Sequence, residues 1–178
     1  MSRVVVISPP IAVVTADEAR EVRVFSADDA TAYIDTLLAV AQGQIDGRDG
    51  WLHRAIGLQT LEIVVPAKWI VDVDQLPLPP YVDTVTDIIA EDGRSRAFRY
   101  RAGYGVAPAS PVPPAIKHAI ILMAGVLRDA TPNEGGLVKR KTVDGVGSRE
   151  YTLPDGAADS MRQAAESLLK PYWLPAYD

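Results

Sequence analysis

Histidine is the side chain best suited to acid–base chemistry or metal binding near neutral pH, and this sequence contains two of them. His118 lies within the most apolar stretch of the chain, VPPAIKHAIILMAG, residues 112–125. His53 is distant in sequence, and neither an H-E-x-x-H pair nor a cysteine accompanies it. On a helical projection His118 joins Lys117 and Arg128 in a narrow polar stripe on an otherwise apolar helix. We therefore expect this stripe to face protein, and we expect neither catalysis nor metal binding at His118.

The remaining polar motifs lack the neighbours that chemistry requires. Glycine clusters at 103–105 and 145–147 match neither the phosphate loop G-x-x-x-x-G-K-[ST] nor the dinucleotide fingerprint G-x-G-x-x-G. Acidic pairs at 28–29 and at 72 and 74 could bind a hard cation, but a predicted helix start and a strand end are ordinary places for carboxylates. No serine has the G-x-S-x-G context of a nucleophile. The sequence predicts a protein that is not an enzyme and binds no cofactor or metal.

A basic cluster is the candidate contact for a charged partner. Lys139, Arg140 and Lys141, with Arg149 nearby, lie in a glycine-rich segment predicted to be an exposed loop. Such a cluster is either solvated or contacts a phosphate backbone or an acidic protein. The net charge of −5 argues against a dedicated binder of duplex DNA, which usually carries a basic face. The arginines at 99 and 101, on the outer face of a predicted strand, carry the same ambiguity.

The segment LLKPYWLPAYD is the candidate docking site for another protein. Tyr172, Trp173, Leu174 and Tyr177 concentrate aromatic and apolar surface within six residues, interleaved with Pro171 and Pro175. Aromatic side chains of this kind often anchor protein interfaces. The segment either packs back onto its own domain or docks on another subunit, and we expect docking.

The elements that must position these residues follow an α+β order of helices, a small antiparallel sheet, then helices. We predict a mainly helical core, built from a long amphipathic helix and an apolar helix, with a hairpin insertion and a C-terminal helix with an arm. Residues 1–130 form the predicted core domain, and residues 131–178 form a flexible loop, a helix near 158–169 and the docking arm. The predicted core elements are helices 15–25, 27–46 and 114–129 and strands within 60–101.

Local signals fix several of these boundaries. Thr15 followed by Glu18 is a capping-box spacing, and Ser26 is a candidate cap for the long helix. Pro66 should interrupt a strand ladder or place its strand at an edge, and Asp92-Gly93 should form the hairpin turn.

The sequence offers no membrane-spanning candidate. Its longest uninterrupted apolar run falls far short of the roughly 20 residues that cross a bilayer. The first residues lack the continuous apolar region of a signal peptide. We therefore expect a soluble protein with no membrane partner.

The order of these motifs resembles one known family. The chain contains, in order, a capped short helix, a long amphipathic helix, RAIGLQTLEI (54–63), a proline-rich connector, a hairpin with EDG, and then GY followed by VPPAIKHAIILMAG. This order looks like that of the head–tail connector, or adaptor, proteins of long-tailed phages and related gene transfer agents. The similarity covers roughly residues 15–130. The C-terminal third, with GVGSREY and LLKPYW, is similar to extended members.

The resemblance implies a structural role. Members form homo-oligomeric rings, usually dodecamers, under the portal, and they join it to a downstream neck or tail protein such as a stopper or tail terminator. DNA passes through the ring during packaging and ejection without specific recognition. Localisation would be the head–tail interface of the virion, and the host cytoplasm during assembly. Two alternatives stay open, which are a nucleic-acid-binding accessory protein using the 139–149 loop and a small hydrolase using His118.

Overall fold

The computed structural model describes residues 4–90, 93–105, 107–130 and 157–175. Within these ranges the α+β class predicted from sequence is confirmed, with helices and a small antiparallel sheet. In chain order the elements are β1 (Val4–Ser8), α1 (Ala16–Glu21), α2 (Thr31–Ile45), β2 (Gln59–Pro66), a 3-10 turn (Val73–Gln75), β3 (Tyr81–Ile89), β4 (Ser95–Ala102), α3 (Pro114–Ala130), α4 (Ala157–Leu169) and a second 3-10 turn (Lys170–Tyr172).

The capping box at the start of α1 is confirmed. The Glu18 backbone N–H donates to Thr15 Oγ1 at 3.3 Å, and the Thr15 N–H donates to Glu18 Oε2 at 2.9 Å. The helix ends at Glu21 and does not reach residue 25 as predicted. Arg23 has a φ of 62°, a left-handed conformation that cannot continue a right-handed helix.

The predicted start of the long helix near residue 27 is wrong. Ser26 does not cap α2, because it closes a separate turn in which its N–H donates to Asp29 Oδ2 at 2.7 Å and its Oγ accepts from the Asp28 N–H at 3.3 Å. Helix α2 begins only at Thr31, after Ala30 in an extended conformation that offers no side-chain cap. Local side-chain bonds to the backbone compete with helix formation in this way.

The helices enclose a hydrophobic core of their own. Apolar side chains of α2 and α3 at helical spacing are buried against each other, and α4 packs along α3. Ala165 and Leu169 of α4 are 1% and 0% exposed. The division predicted at residue 130 therefore separates two helices that share one core. The buried aliphatic members of this core on α2 and α3 are Ile34, Leu37, Leu38, Ile45, Ile116, Ile120 and Ile121.

The sheet is antiparallel throughout, with strand order β1-β2-β4-β3. Alternation places Leu61, Ile63 and Val65 of β2 on the buried face beside Phe98 and Tyr100 of β4, as their period-2 spacing predicts. The ladder between β2 and β4 ends at Pro66, although β2 is an internal strand. Residues Val4–Ser8 form β1 and pair with β2 of the same chain.

The proline-rich connector covers the buried face of the sheet. Leu76 and Leu78 are 4% and 5% exposed and pack with the strand residues in a second hydrophobic cluster. The Tyr100 hydroxyl donates to the Pro77 carbonyl oxygen at 2.7 Å. The opposite face of the sheet, which we call the open face, contains Val5, Glu62, Val64, Arg99 and Ile88.

Candidate docking interface

The candidate histidine and the acidic pairs lie in separate segments of the chain, which are α3, the turn before α2 and the 3-10 turn before β3. His118 is exposed on α3, and no group of three histidine, aspartate or glutamate side chains in the described ranges could hold a metal ion. Asp29 and Asp72 accept backbone N–H bonds within their own turns. Gly103, with a φ of 111°, approaches the backbone of Gly57 so closely that an added Cβ would lie 2.3 Å from the Gly57 oxygen. Its role is therefore close packing.

Two members of the polar stripe of α3, Lys117 and Arg128, face their own chain. Lys117 Nζ lies 2.6 Å from Glu18 Oε1, and this hydrogen bond is the main reason that the pKa of Glu18 is lowered. Arg128 donates to the Val24 carbonyl oxygen, and its guanidinium lies 5.5 Å from the centre of the Phe25 ring. These two predicted partner contacts thus bind α1 and residues 24–25 to α3.

The RAIGLQT stretch joins the helical core to the sheet through a buried carboxylate. Asp46, at the end of α2, is 7% exposed and accepts the backbone N–H groups of Ile56 and Gly57, each at 2.8 Å. The side-chain amides of Gln42 and Gln59 each donate to it at 2.9 Å. Burial raises the pKa of the Asp46 carboxyl, and these four hydrogen bonds oppose the rise. The stretch therefore sets the position of β2 relative to α2.

The segment after α4 returns to the same stretch. Arg54 Nε donates to the Tyr172 carbonyl oxygen at 3.2 Å, and Arg54 Nη1 donates to the Tyr104 hydroxyl at 2.9 Å. The Leu174 N–H donates to the Leu52 carbonyl oxygen at 3.2 Å, and Tyr172 packs against the helical core. Up to residue 175 the segment packs onto its own domain, the alternative that we ranked second.

Trp173 differs from its neighbours because it is 53% exposed. It lines a groove of about 1030 Å³ along α3 and α4, together with Trp51. Sequence reasoning missed Trp51, whose only signal is a tryptophan directly after a Gly-containing loop. The other lining residues are Gln44, Met123, Val126, Leu127, Arg162, Gln163, Ala165, Glu166, Ser167, Leu169 and Lys170.

The arginines of β4 are occupied by acidic neighbours. Arg99 Nη2 lies 2.8 Å from Glu62 Oε2, and Arg101 Nε donates to Asp83 Oδ1 at 2.7 Å. Neither arginine therefore favours phosphate binding on this face. The predicted contacts Lys139, Arg140, Lys141 and Tyr177, together with Arg149, lie outside the described residues.

Comparisons with protein-family models, with curated proteins and with solved structures find no match to this chain. Within the described ranges, every helix is too short or too polar to cross a membrane.

Proposed function

We propose that this protein is a head–tail adaptor, a structural subunit that forms a ring under the portal of a phage or gene transfer agent. The support from sequence is the order of motifs from the capped α1 to VPPAIKHAIILMAG. In the proposal the ring joins the portal to a stopper or tail terminator and surrounds the DNA channel without specific recognition. The protein acts in the virion by binding other proteins, and it performs no catalysis.

The groove beside Trp173 is the structural observation that supports a specific partner-binding site for the proposed adaptor. An adaptor must hold a partner above or below it while its own fold stays closed. The groove presents two half-exposed indole rings on a helix pair whose inner side is already packed, so a partner can bind without opening the core. Tryptophan is one of the residues enriched among the hot spots that dominate interface binding energy. We assign this groove to the portal contact.

A substitution at Trp173 tests the assignment. Deleting residues 171–178 would also remove the Leu174 bond to Leu52, so a point variant isolates the groove. Trp173→Ser should fold normally and fail to join portal-bearing heads, measured as loss of tail attachment and of infectious or gene-transferring particles. Trp69→Ser is the matched control, because Trp69 is 55% exposed and lies after β2.

Electron microscopy of particles distinguishes the site from the function. Normal attachment by Trp173→Ser, with this chain present as a ring below the portal, would remove the groove and keep the adaptor. Absence of any such ring from tailed particles that need this chain would contradict the adaptor itself.

A further inference from the structure

Within the described part of the chain, no further strand covers either outer edge of the sheet. Strands β1 and β3 are the outer members of the order β1-β2-β4-β3. A strand at an edge presents a row of backbone N–H and C=O groups that can pair with another strand. Exposed apolar side chains accompany both edges here, with Val5 and Ile7 of β1 at 40% and 41% and Ile88 and Ile89 of β3 at 60% and 57% exposure.

The acidic side chains of β3 do not protect its outer edge from pairing with another strand. Charged side chains usually protect edge strands against pairing. Asp83 and Asp87 are instead drawn toward β4, where they bind Arg101 and Arg96, and these contacts lower the pKa of both carboxyls. The register shifts of β3 lie between Tyr81 and Thr86, so residues 86–89 form a regular ladder with β4. This regular half of β3 is an open template for a further strand.

Strand β1 has the properties of a strand that can pair with this half of β3. Its sequence, VVVIS, contains no charge and no proline, and β-branched residues favour extended pairing. It ends at Ser8, directly before Pro9 and Pro10, which limits a partner to this short segment. The five residues of β1 are enough to pair with residues 86–89 of β3 and one residue beside them.

The strand directions favour one way of joining two copies. All neighbours in the sheet are antiparallel, so with an even number of strands β1 and β3 run in opposite directions. A second copy in the same orientation therefore brings its β1 antiparallel to β3 of the first. Such a head-to-tail contact leaves the same two edges at the ends of the pair, and it closes into a ring when the rotation between copies allows.

We propose that copies of this chain associate head to tail, with β1 of one copy extending the sheet of the next along the outer edge of β3. Pairing Val5 opposite Ile88 keeps both on the open face and continues the antiparallel ladder. This inference deepens the proposed adaptor ring by naming the contact between its subunits. Its test uses the chain alone, so it stands or fails separately from the role in a particle.

Disulfide trapping tests the contact directly, because the chain contains no cysteine. Val5→Cys and isotopically heavy Ile88→Cys are mixed in equal amounts, oxidised mildly and weighed intact by mass spectrometry. Mixed dimers should exceed the half share that random pairing gives. Val40→Cys replaces Val5→Cys in the control mixture, since Val40 is 48% exposed on α2, and that mixture should pair at random.

Each outcome decides the proposal. Random pairing of Val5→Cys with Ile88→Cys would overturn it, and an excess of Ile88→Cys homodimers would replace it with a two-fold contact between β3 edges. A second measurement uses no cysteine. Ile88→Lys should abolish concentration-dependent self-association in sedimentation experiments, while Val40→Lys should leave it unchanged. Rings in particles combined with random pairing would retain the adaptor and reject the sheet contact.

Discussion

The helical core and the sheet bury their apolar residues to different degrees. Helices α2, α3 and α4 surround one core from several sides, and the side chains between them are almost fully buried. Among the described residues, only one face of the sheet is covered, by the connector that carries Leu76 and Leu78. Its open face and both edges retain exposed valine and isoleucine. The difference indicates that the helices supply most of the buried apolar contacts, while the sheet keeps apolar side chains at its surface.

The largest expected effect is the truncation of a buried side chain in the helical core, compared with the truncation of an exposed one on the sheet. Leu169→Ala should lower the free energy of unfolding by about 2–5 kcal/mol, because Leu169 is 0% exposed in the helical core. Ile88→Ala, on the open face of the sheet, should change it by no more than about 0.5 kcal/mol. Urea denaturation measures both values. Equal losses for the two variants would erase the contrast between the regions.

The junction between the regions should be the next most sensitive place. Asp46→Ala leaves the buried N–H groups of Ile56 and Gly57 without their acceptor, which should cost about 2 kcal/mol or more. Hydrogen exchange should then speed up at these two amides before it does in the middle of α3. Unchanged exchange at Ile56 and Gly57 would contradict the assigned role of Asp46.

The free energy of unfolding should depend on pH in the direction set by the raised pKa of the Asp46 carboxyl. Because its pKa in the folded chain is raised above the ordinary 3.8, the folded state holds this proton more tightly than the unfolded state. The contribution of Asp46 to the free energy of unfolding therefore falls as pH rises from 3.8 through the raised pKa. The difference in stability between wild type and Asp46→Asn across this range measures the contribution. A difference that grows in favour of wild type with rising pH would refute the sign.

The contact that ties α1 to α3 should have the smallest effect. Lys117→Met removes a partly exposed ion pair with Glu18, so the loss should be at most about 1 kcal/mol. The pKa of Glu18 is lowered in the folded chain, so this contribution is present above 4.5 and is lost as pH falls through the lowered value. Carbon-detected NMR titration of Glu18 should show its pKa rising in Lys117→Met. An unchanged pKa would assign the shift to the capping box alone.

Patterns with a local physical cause were predictable from sequence. The capping box of Thr15 and Glu18, the alternation along β2 and the proline start of α3 depend on neighbours within a few residues. The start of α2 was not predictable in this way, because Ser26 satisfies both a cap pattern and a turn, and Arg20 adds a contact from α1 by donating to the Asp29 carbonyl oxygen at 2.8 Å. Tertiary contacts decided between the two conformations.

The candidate interface was predictable only in part. The aromatic cluster at 172–174 was visible in the sequence, but sequence alone could not distinguish Tyr172, which packs inward, from Trp173, which lines the groove. Trp51 comes from a distant part of the chain, and only the packing of α4 on α3 brings the two indoles to one groove. The sequence also could not predict which strands lie at the edges of the sheet, because strand order depends on pairing between distant segments.

The bond between Arg54 and Tyr172 spans 118 positions in sequence. Contacts of this range delay folding, since the intervening chain must first be ordered. During synthesis the helical core has to wait for residues 157–175 before Leu169 and Leu174 can reach their places beside α3 and Leu52. A ribosome that stalls earlier would release a chain with an unfilled core, open to proteolysis. The helical core is thus complete only after the segment that carries Leu169 and Leu174 has been synthesised.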